Sequence, residues 1–356
     1  MISRANIRAP NPATAWVDPA KGIGIVLVVV GHVTDGLVRA GVPFDADVFA
    51  VLHDTFYSFH MPLFFFLSGL FFLQSLEKRG LPTFIAGKVD SLLYPYVLWS
   101  LVQGFVEVAM GRYTNSGAQV SDVLALAWAP RQQMWFLYAL FFVFVVSACA
   151  RTWLGSRWIG VLGVLALLGY FGRHWLPAVP LVSYLALYLV FFVAGAWRRS
   201  EVRVPRQVGA GALAFAAVGF VLAEVLLQAP WLQELGGWSL LLSLVAAFAG
   251  IAFVVTVSRW VATGPSPILT VLGRHSMAIF VLHTLFASGA RIVLQRFLHV
   301  EDVTVHVIAG IGLGILAPLV IGVLAERWRI GGLFEAPEAL RLERRATRRP
   351  ATQAID

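Results

Sequence analysis

A lysine and a histidine stand eleven residues apart in the first long apolar run of the chain, at Lys21 and His32. On an α-helix, eleven residues make three turns plus about 20°, so both side chains project from one face, about 16 Å apart along the axis. Ionisable groups inside an apolar run cost about 3 kcal/mol each, and they mark functional sites. Histidine transfers protons near neutral pH, so the spacing predicts a catalytic group at His32 and a cationic group at Lys21.

Two further polar side chains are expected close to His32, and a third is a separate candidate. Asp35 lies one turn beyond it and is predicted to accept the His32 ring proton, which would fix the tautomer. His60 lies near the outer end of the second apolar run, at about the depth of His32, so the two histidines are predicted to meet in one pocket. His283, inside the ninth run, is a candidate for substrate binding. The alternative for these histidines is a structural hydrogen bond or a position at the membrane interface.

Aromatic and basic residues mark the two membrane faces. Trp135 and Tyr138 open the fourth run and could stack on a sugar ring, although an ordinary aromatic belt is the alternative. On the inner side, Lys78, Arg79 and Lys88 form a basic rim that could hold the phosphates of an acyl-CoA or act only as a topology signal. No pair of histidines has an i, i+4 spacing with a nearby acid, so no metal site is predicted.

These side chains must be positioned by membrane helices. Of the 356 residues, 59% are hydrophobic and 13% are charged, whereas soluble domains carry about 25% charged residues. Apolar runs of about 20 residues recur along the whole chain, which predicts an all-α polytopic transmembrane helix bundle. We place ten spans at 20–38, 56–76, 89–110, 134–150, 157–173, 180–197, 208–228, 238–260, 267–290 and 304–326.

The basic residues predict the orientation of this bundle. With the N-terminus inside, 21 of the 27 lysines and arginines fall in inner segments and 6 in outer ones. The positive-inside rule therefore favours N-in, C-in, and it explains the net charge of +8 without nucleic acid. We expect a transmembrane domain at 1–330 and a basic cytoplasmic tail at 331–356. The single cysteine excludes a disulfide within the chain.

Two motifs resemble a known family. The stretch 18–32 (DPAKGIGIVLVVVGH) and the stretch 59–69 (FHMPLFFFLSG) are similar to the opening of the membrane-bound acyltransferase 3 family. The stretches 135–138 (WFLY) and 273–283 (GRHSMAIFVLH) fall in the expected order. The form with a histidine before Met-Pro resembles sugar O-acetylases, such as the fucose 4-O-acetylase group and exopolysaccharide acetylases.

The resemblance implies a multi-pass enzyme of the bacterial cytoplasmic (inner) membrane. Its donor would be an acyl-CoA, usually acetyl-CoA, with no permanently bound cofactor, and its acceptor a hydroxyl of a carbohydrate or lipid-linked glycan. The family's basic residue, ten spacers and histidine map onto Lys21 and His32. Its arginine pair near the third helix is replaced here by the stretch 88–91 (KVDS), which leaves Lys78, Arg79 and Lys88 as substitutes. The implied partners are membrane lipids and the polysaccharide biosynthesis machinery.

Two mechanisms and two rival functions remain open at this point. His32 could take the proton from the acceptor hydroxyl, or it could be acylated first and pass the group on. His60 could stabilise the oxyanion or bind the acceptor. A multi-span transporter or flippase for a glycan-related substrate would also explain ten helices with buried histidines. A non-catalytic scaffold would need no alignment of Lys21 with His32.

Overall fold

The computed structural model describes residues 13–111, 117–199, 208–229, 232, 238–264 and 267–348. Within these ranges the regular structure is helical and contains no strand. The first half holds α1 (Val17–Arg39), α2 (Ala46–Arg79), α3 (Leu81–Lys88), α4 (Tyr94–Ala109), α5 (Val120–Leu124), α6 (Trp135–Leu154) and α7 (Trp158–Gly172). The second half holds α8 (Pro180–Trp197), α9 (Ala210–Gln228), α10 (Trp238–Val261), α11 (Pro267–Arg274), α12 (Ser276–Ile292), α13 (Val303–Arg327) and α14 (Leu342–Arg348).

The predicted all-α polytopic bundle is confirmed. Among the described residues, nine helical segments are long and apolar enough to cross a membrane. A π-helical turn at Val89–Leu93 joins α3 to α4 in one of these segments, and another at Val293–Phe297 extends α12. The predicted span 267–290 is divided, because the helix is interrupted between α11 and α12.

The predicted spans 134–150 and 157–173 correspond to two helices, α6 and α7, that belong to one of these nine segments. There α7 has 15 residues and rises about 22 Å, which is less than the roughly 30 Å of a bilayer core. It belongs to the same apolar segment as α6, Val120–Trp175. Gly155 divides α6 from α7 at a positive φ of 56°, a conformation that glycine adopts without a steric penalty. The count of nine therefore takes α6 and α7 as one segment, whereas the sequence predicted two spans there.

The helix that carries Lys21 and His32 lies at the centre of the bundle. The elements that contact α1 are α2, α10, α11, α12 and α13. Ala20, Val29 and Gly31 are buried on it, which reflects its many partners. The helix that carries Lys21 and His32, α1, therefore packs against five other helices.

Two glycines let α1 and α11 touch through their backbones. A Cβ atom added to Gly22 would lie 2.2 Å from the carbonyl oxygen of Leu269, and one added to Gly273 would lie 1.8 Å from that of Asp18. Both distances are far below a van der Waals contact, so only glycine allows this approach. The crossing brings the N-terminal part of α1 alongside α11.

We expect Gly22→Ala to destabilise the protein by at least the 1–3 kcal/mol that is typical of overpacking, since backbone must move. Gly36→Ala is the matched control on the same helix, because no heavy atom lies within 4 Å of its added Cβ. That control should be neutral or stabilise the helix by up to about 1 kcal/mol. Thermal unfolding in detergent, followed by size-exclusion chromatography, measures both. Equal melting temperatures for the two variants would contradict the tight crossing.

The C-terminal segment packs on the bundle as far as it is described. The Asp90 carboxylate accepts hydrogen bonds from the backbone N–H groups of Leu342 and Glu343, at 3.0 and 2.9 Å. Arg79 forms an ion pair with Glu343 at 3.0 Å. Part of the predicted basic tail is therefore docked against the turn between α3 and α4. The orientation of the bundle across the membrane stays a prediction.

Candidate active site

His32 and His283 lie against each other in the structure. Nδ1 of His32 is 2.7 Å from Nε2 of His283, and the two ring planes are within 6° of parallel. His283 is fully buried on α12, whereas His32 on α1 keeps partial exposure. The pair thus joins α1 to α12 through two residues that are 251 positions apart in the sequence.

The partners of His283 assign the protons of both rings. Nδ1 of His283 lies 3.0 Å from the carbonyl oxygen of Ile279 and 2.8 Å from that of Phe280. Carbonyl oxygens only accept, so Nδ1 of His283 carries a proton and, in the neutral ring, Nε2 accepts. Nδ1 of His32 must then be the donor, which leaves the lone pair of His32 on Nε2. We assign these tautomers from the hydrogen-bond network.

Asp35 does not bond to His32, contrary to the prediction from their spacing. Its carboxylate instead accepts a hydrogen bond from the Tyr57 hydroxyl at 2.8 Å and forms an ion pair with Arg39 at 3.5 Å. The side chain of Asp35 is drawn towards α2, where Tyr57 supplies a donor. The tautomer of His32 is therefore fixed by His283.

Tyr57 links His32 to His60. Its ring centroid is 6.5 Å from that of His32 and 4.8 Å from that of His60. His60 donates from Nδ1 to the carbonyl oxygen of Phe56, so Nε2 of its neutral ring keeps a lone pair. His32 and His60 are near the same tyrosine, but the direct histidine partner of His32 is His283. Sequence reasoning did not single out Tyr57.

A buried polar network supports the helix of His283. The side-chain amide of Gln133 donates to Oε1 of Gln103 at 2.8 Å and to the hydroxyl of Thr284 at 2.7 Å. The amide of Gln103 donates to the carbonyl oxygen of Val281. These bonds tie α12 to α4 and to the start of α6. Polar residues inside apolar runs are the signal that could have revealed Gln103 and Thr284.

A cavity of about 700 Å³ opens at the Lys21 end of α1. Lys21, Asp18 and Arg274 line it, together with residues of α2 and of the segment between α10 and α11. The Asp18 carboxylate lies 3.6 Å from Lys21 Nζ and 3.5 Å from Arg274 Nε. Two cations share one carboxylate there, so the cavity wall carries an excess positive charge. Arg274 belongs to the motif at 273–283, but the sequence predicted no binding role for it.

The predicted basic rim is outside this cavity. Lys78, Arg79 and Lys88 do not line it, and Arg79 is paired with Glu343. The ammonium group of Lys88 stands 3.8 Å from the ring centroid of Phe144, in a cation–π contact. Their predicted role in donor binding stays a prediction.

The predicted aromatic platform is divided by the structure. Trp135 stacks with Tyr184 and Tyr188, at centroid distances of 5.0 and 5.1 Å. Tyr138 is buried, and its hydroxyl donates to the carbonyl oxygen of Ala127 at 3.1 Å. The aromatic stack around Trp135 is therefore the part that could face a sugar, whereas Tyr138 is engaged with protein. In the part of the chain that the structure describes, no cluster of three or more metal-ligating side chains is present.

One family of acyltransferases matches the chain over most of its length. The family described as "Acyltransferase domain" matches residues 14–324, so the chain belongs to this family. The match covers α1 to α13 almost completely and includes Lys21, His32, His60 and His283. It confirms the resemblance to the acyltransferase 3 family, whereas the resemblance to sugar O-acetylases stays a prediction.

A curated relative is similar to part of the chain. The chain is 26% identical over 167 residues to the nodulation protein NolL of Mesorhizobium japonicum (strain LMG 29417 / CECT 9101 / MAFF 303099). The matched region is 47% of this chain and 43% of NolL, so the chain spans less than half the length of that relative. No solved structure matches the chain significantly.

Proposed function

We propose that the protein is a membrane O-acyltransferase that moves an acyl group, most simply acetyl, from acyl-CoA to a hydroxyl of a carbohydrate or lipid-linked glycan. The observation that carries this proposal is the His32–His283 pair. It leaves one lone pair, on Nε2 of His32, inside the bundle of a family of acyltransferases. A neutral imidazole with a fixed tautomer is suited to general-base catalysis.

The donor is proposed to enter at the cavity lined by Lys21 and Arg274. Coenzyme A carries phosphates at one end and the thioester at the other, and the cationic wall supports binding of the phosphates. Lys21 and His32 lie about 16 Å apart along one helix, so an extended pantetheine arm can cover the distance between them. The thioester carbonyl then reaches the level of the histidine pair.

The proposed reaction needs only one proton-transfer group. Nε2 of His32 takes the proton of the acceptor hydroxyl while the oxygen attacks the thioester carbonyl. The tetrahedral intermediate collapses, the new ester C–O bond remains and the C–S bond breaks. The departing thiolate takes the proton back from Nε2 of His32. Nε2 of His60 could accept a second hydrogen bond from the acceptor.

Radiolabelled acetyl-CoA tests the function directly. Membranes that contain the wild-type protein should transfer label to a glycan fraction, whereas membranes with an empty vector should not. Mass spectrometry of surface glycans should show the gain of one acetyl group per modified site. Uptake of a glycan without any acyl modification would instead support the transporter and contradict this proposal.

We expect Lys21→Met and Arg274→Met each to raise the KM for acyl-CoA by about 10-fold, because each removes one charge-assisted contact worth about 1.4 kcal/mol. The kcat should change little. Lys78→Met is the matched control: it lies at the same end of the bundle, but outside the cavity. Steady-state kinetics in membranes measure all three. A larger KM effect for Lys78 than for Lys21 would move the donor site to the basic rim.

A further inference from the structure

A second cavity lies beside Tyr57. It has a volume of about 370 Å³, within the range of small-molecule sites. Three tyrosines and several hydrogen-bonding side chains of α2, α7, α8, α9 and α10 line it, among them Tyr57, Tyr170, Tyr188, Asp54, Ser58 and Gln228. The donor cavity shares none of these residues.

We infer that this cavity binds the acceptor, and that the acceptor is a sugar ring without a carboxylate group. The inference rests on the proposed function and names the substrate class of that reaction. Tyrosine rings offer flat apolar faces with polar tips, which suit the faces and hydroxyls of a sugar. The stack of Trp135 on Tyr188 continues this aromatic wall towards α6.

The position of the cavity fits an acceptor site. Tyr57 forms part of its wall, and the ring of Tyr57 contacts both His32 and His60. The cavity therefore adjoins the rings of His32 and His60 through Tyr57. Phe65 stacks on Tyr188, another residue of the cavity wall, at a centroid distance of 4.7 Å.

A buried carboxylate stands behind the wall. Glu224 is 6% exposed, and its Oε1 accepts a hydrogen bond from the Ser58 hydroxyl at 2.6 Å. Its Oε2 is buried without a hydrogen-bond partner among the described residues. Glu224 does not line the cavity itself, so it acts on an occupant through Ser58, which does. Polar groups of this kind disfavour a lipid chain as the occupant.

The acidic side chains at this cavity favour sugars without a carboxylate group. Asp54 lines the cavity and Glu224 lies directly behind Ser58, whereas no lysine or arginine lines it within the described ranges. Arg173 stacks over Tyr170 at 4.8 Å, but it does not line the cavity. A uronic acid would bring a third carboxylate into this surrounding and lose affinity. Neutral and amino sugars are not penalised.

Binding in the absence of donor tests the inference separately from catalysis. Saturation-transfer NMR on the full-length protein in nanodiscs compares methyl β-glucoside with methyl β-glucuronide, which differ only at the carboxylate. We expect the glucoside to bind at least about fivefold more tightly. The double variant Asp54→Asn, Glu224→Gln should remove most of this difference. Equal binding of the two glycosides to the wild type would overturn the charge argument.

A substitution that fills the cavity provides a second test of the proposed acceptor site. Ser243→Leu places a larger side chain in the cavity and should abolish glucoside binding, whereas Thr256→Leu on the same helix lies outside it and should not. If Ser243→Leu binds the glucoside normally, this cavity is not the acceptor site. If the wild type consumes acyl-CoA to modify a lipid or a protein and binds neither glycoside, the inference fails and acyl transfer stands. If glycoside binding is as expected but no acyl transfer occurs, the proposed function fails and the sugar site stands.

Discussion

Replacing His32 with alanine is expected to lower the rate of acyl transfer by about 10²–10⁴-fold, the usual contribution of a general acid–base group. The variant should still insert into the membrane, because His32 keeps partial exposure and makes one hydrogen bond to His283 that can be replaced by water. The measurement is transfer of label from acetyl-CoA to glycan at equal amounts of inserted protein.

A histidine outside the site provides the control for His32. His306 on α13 is also buried, and its Nε2 is 2.9 Å from the carbonyl oxygen of Val300. His306→Ala removes an imidazole that is more buried than that of His32, without touching the pair. We expect it to lose stability and not specific activity. Transfer by the His32 variant at the wild-type rate would refute the assignment of the base.

Replacing His283 with leucine is expected to lower kcat by about 10²-fold or more while the KM for acyl-CoA changes little. His283 positions His32, and it touches neither donor nor acceptor in the proposed reaction. Without an acceptor for Nδ1–H, the His32 ring can adopt the other tautomer or rotate, and a wrong tautomer costs up to about 10⁴-fold in a catalytic histidine. Steady-state kinetics for both substrates separate the two effects.

His283→Gln is the conservative variant that tests positioning. A glutamine side-chain oxygen can accept a hydrogen bond from Nδ1–H of His32, so this variant should recover part of the activity that the leucine variant loses. A purely structural role would be shown by equal kcat values for leucine and glutamine variants of equal stability. A large increase in the acceptor KM for both would support the original prediction that His283 binds substrate.

Helical periodicity made half of the site predictable. The eleven-residue spacing placed Lys21 and His32 on one face, and the structure puts Lys21 in the wall of the donor cavity and His32 in the histidine pair. The spacing also suggested Asp35 as the partner of His32. It could not show that Tyr57 on α2 offers Asp35 a better hydrogen bond at 2.8 Å.

Helix packing made the other half unpredictable. His283 was recognised as a buried histidine, but its contact with His32 depends on α12 packing against α1. Periodicity within one helix carries no information on which helix is its neighbour. The same holds for Arg274, whose place beside Asp18 follows from the glycine crossing of α1 and α11.

The two carbonyl oxygens that accept from Nδ1 of His283 determine whether the reaction is coupled to proton movement across the membrane. Nδ1–H of His283 donates to the carbonyl oxygens of Ile279 and Phe280, and Nδ1–H of His32 donates to Nε2 of His283. Neither backbone carbonyl can take up a proton, so the two rings offer no path for a proton beyond His283. A proton that arrives on Nε2 of His32 leaves from the same nitrogen, to the thiolate. Each turnover of the proposed reaction therefore exchanges no proton with either aqueous compartment. The thioester alone supplies the driving force, and the rate should be indifferent to a proton-motive force.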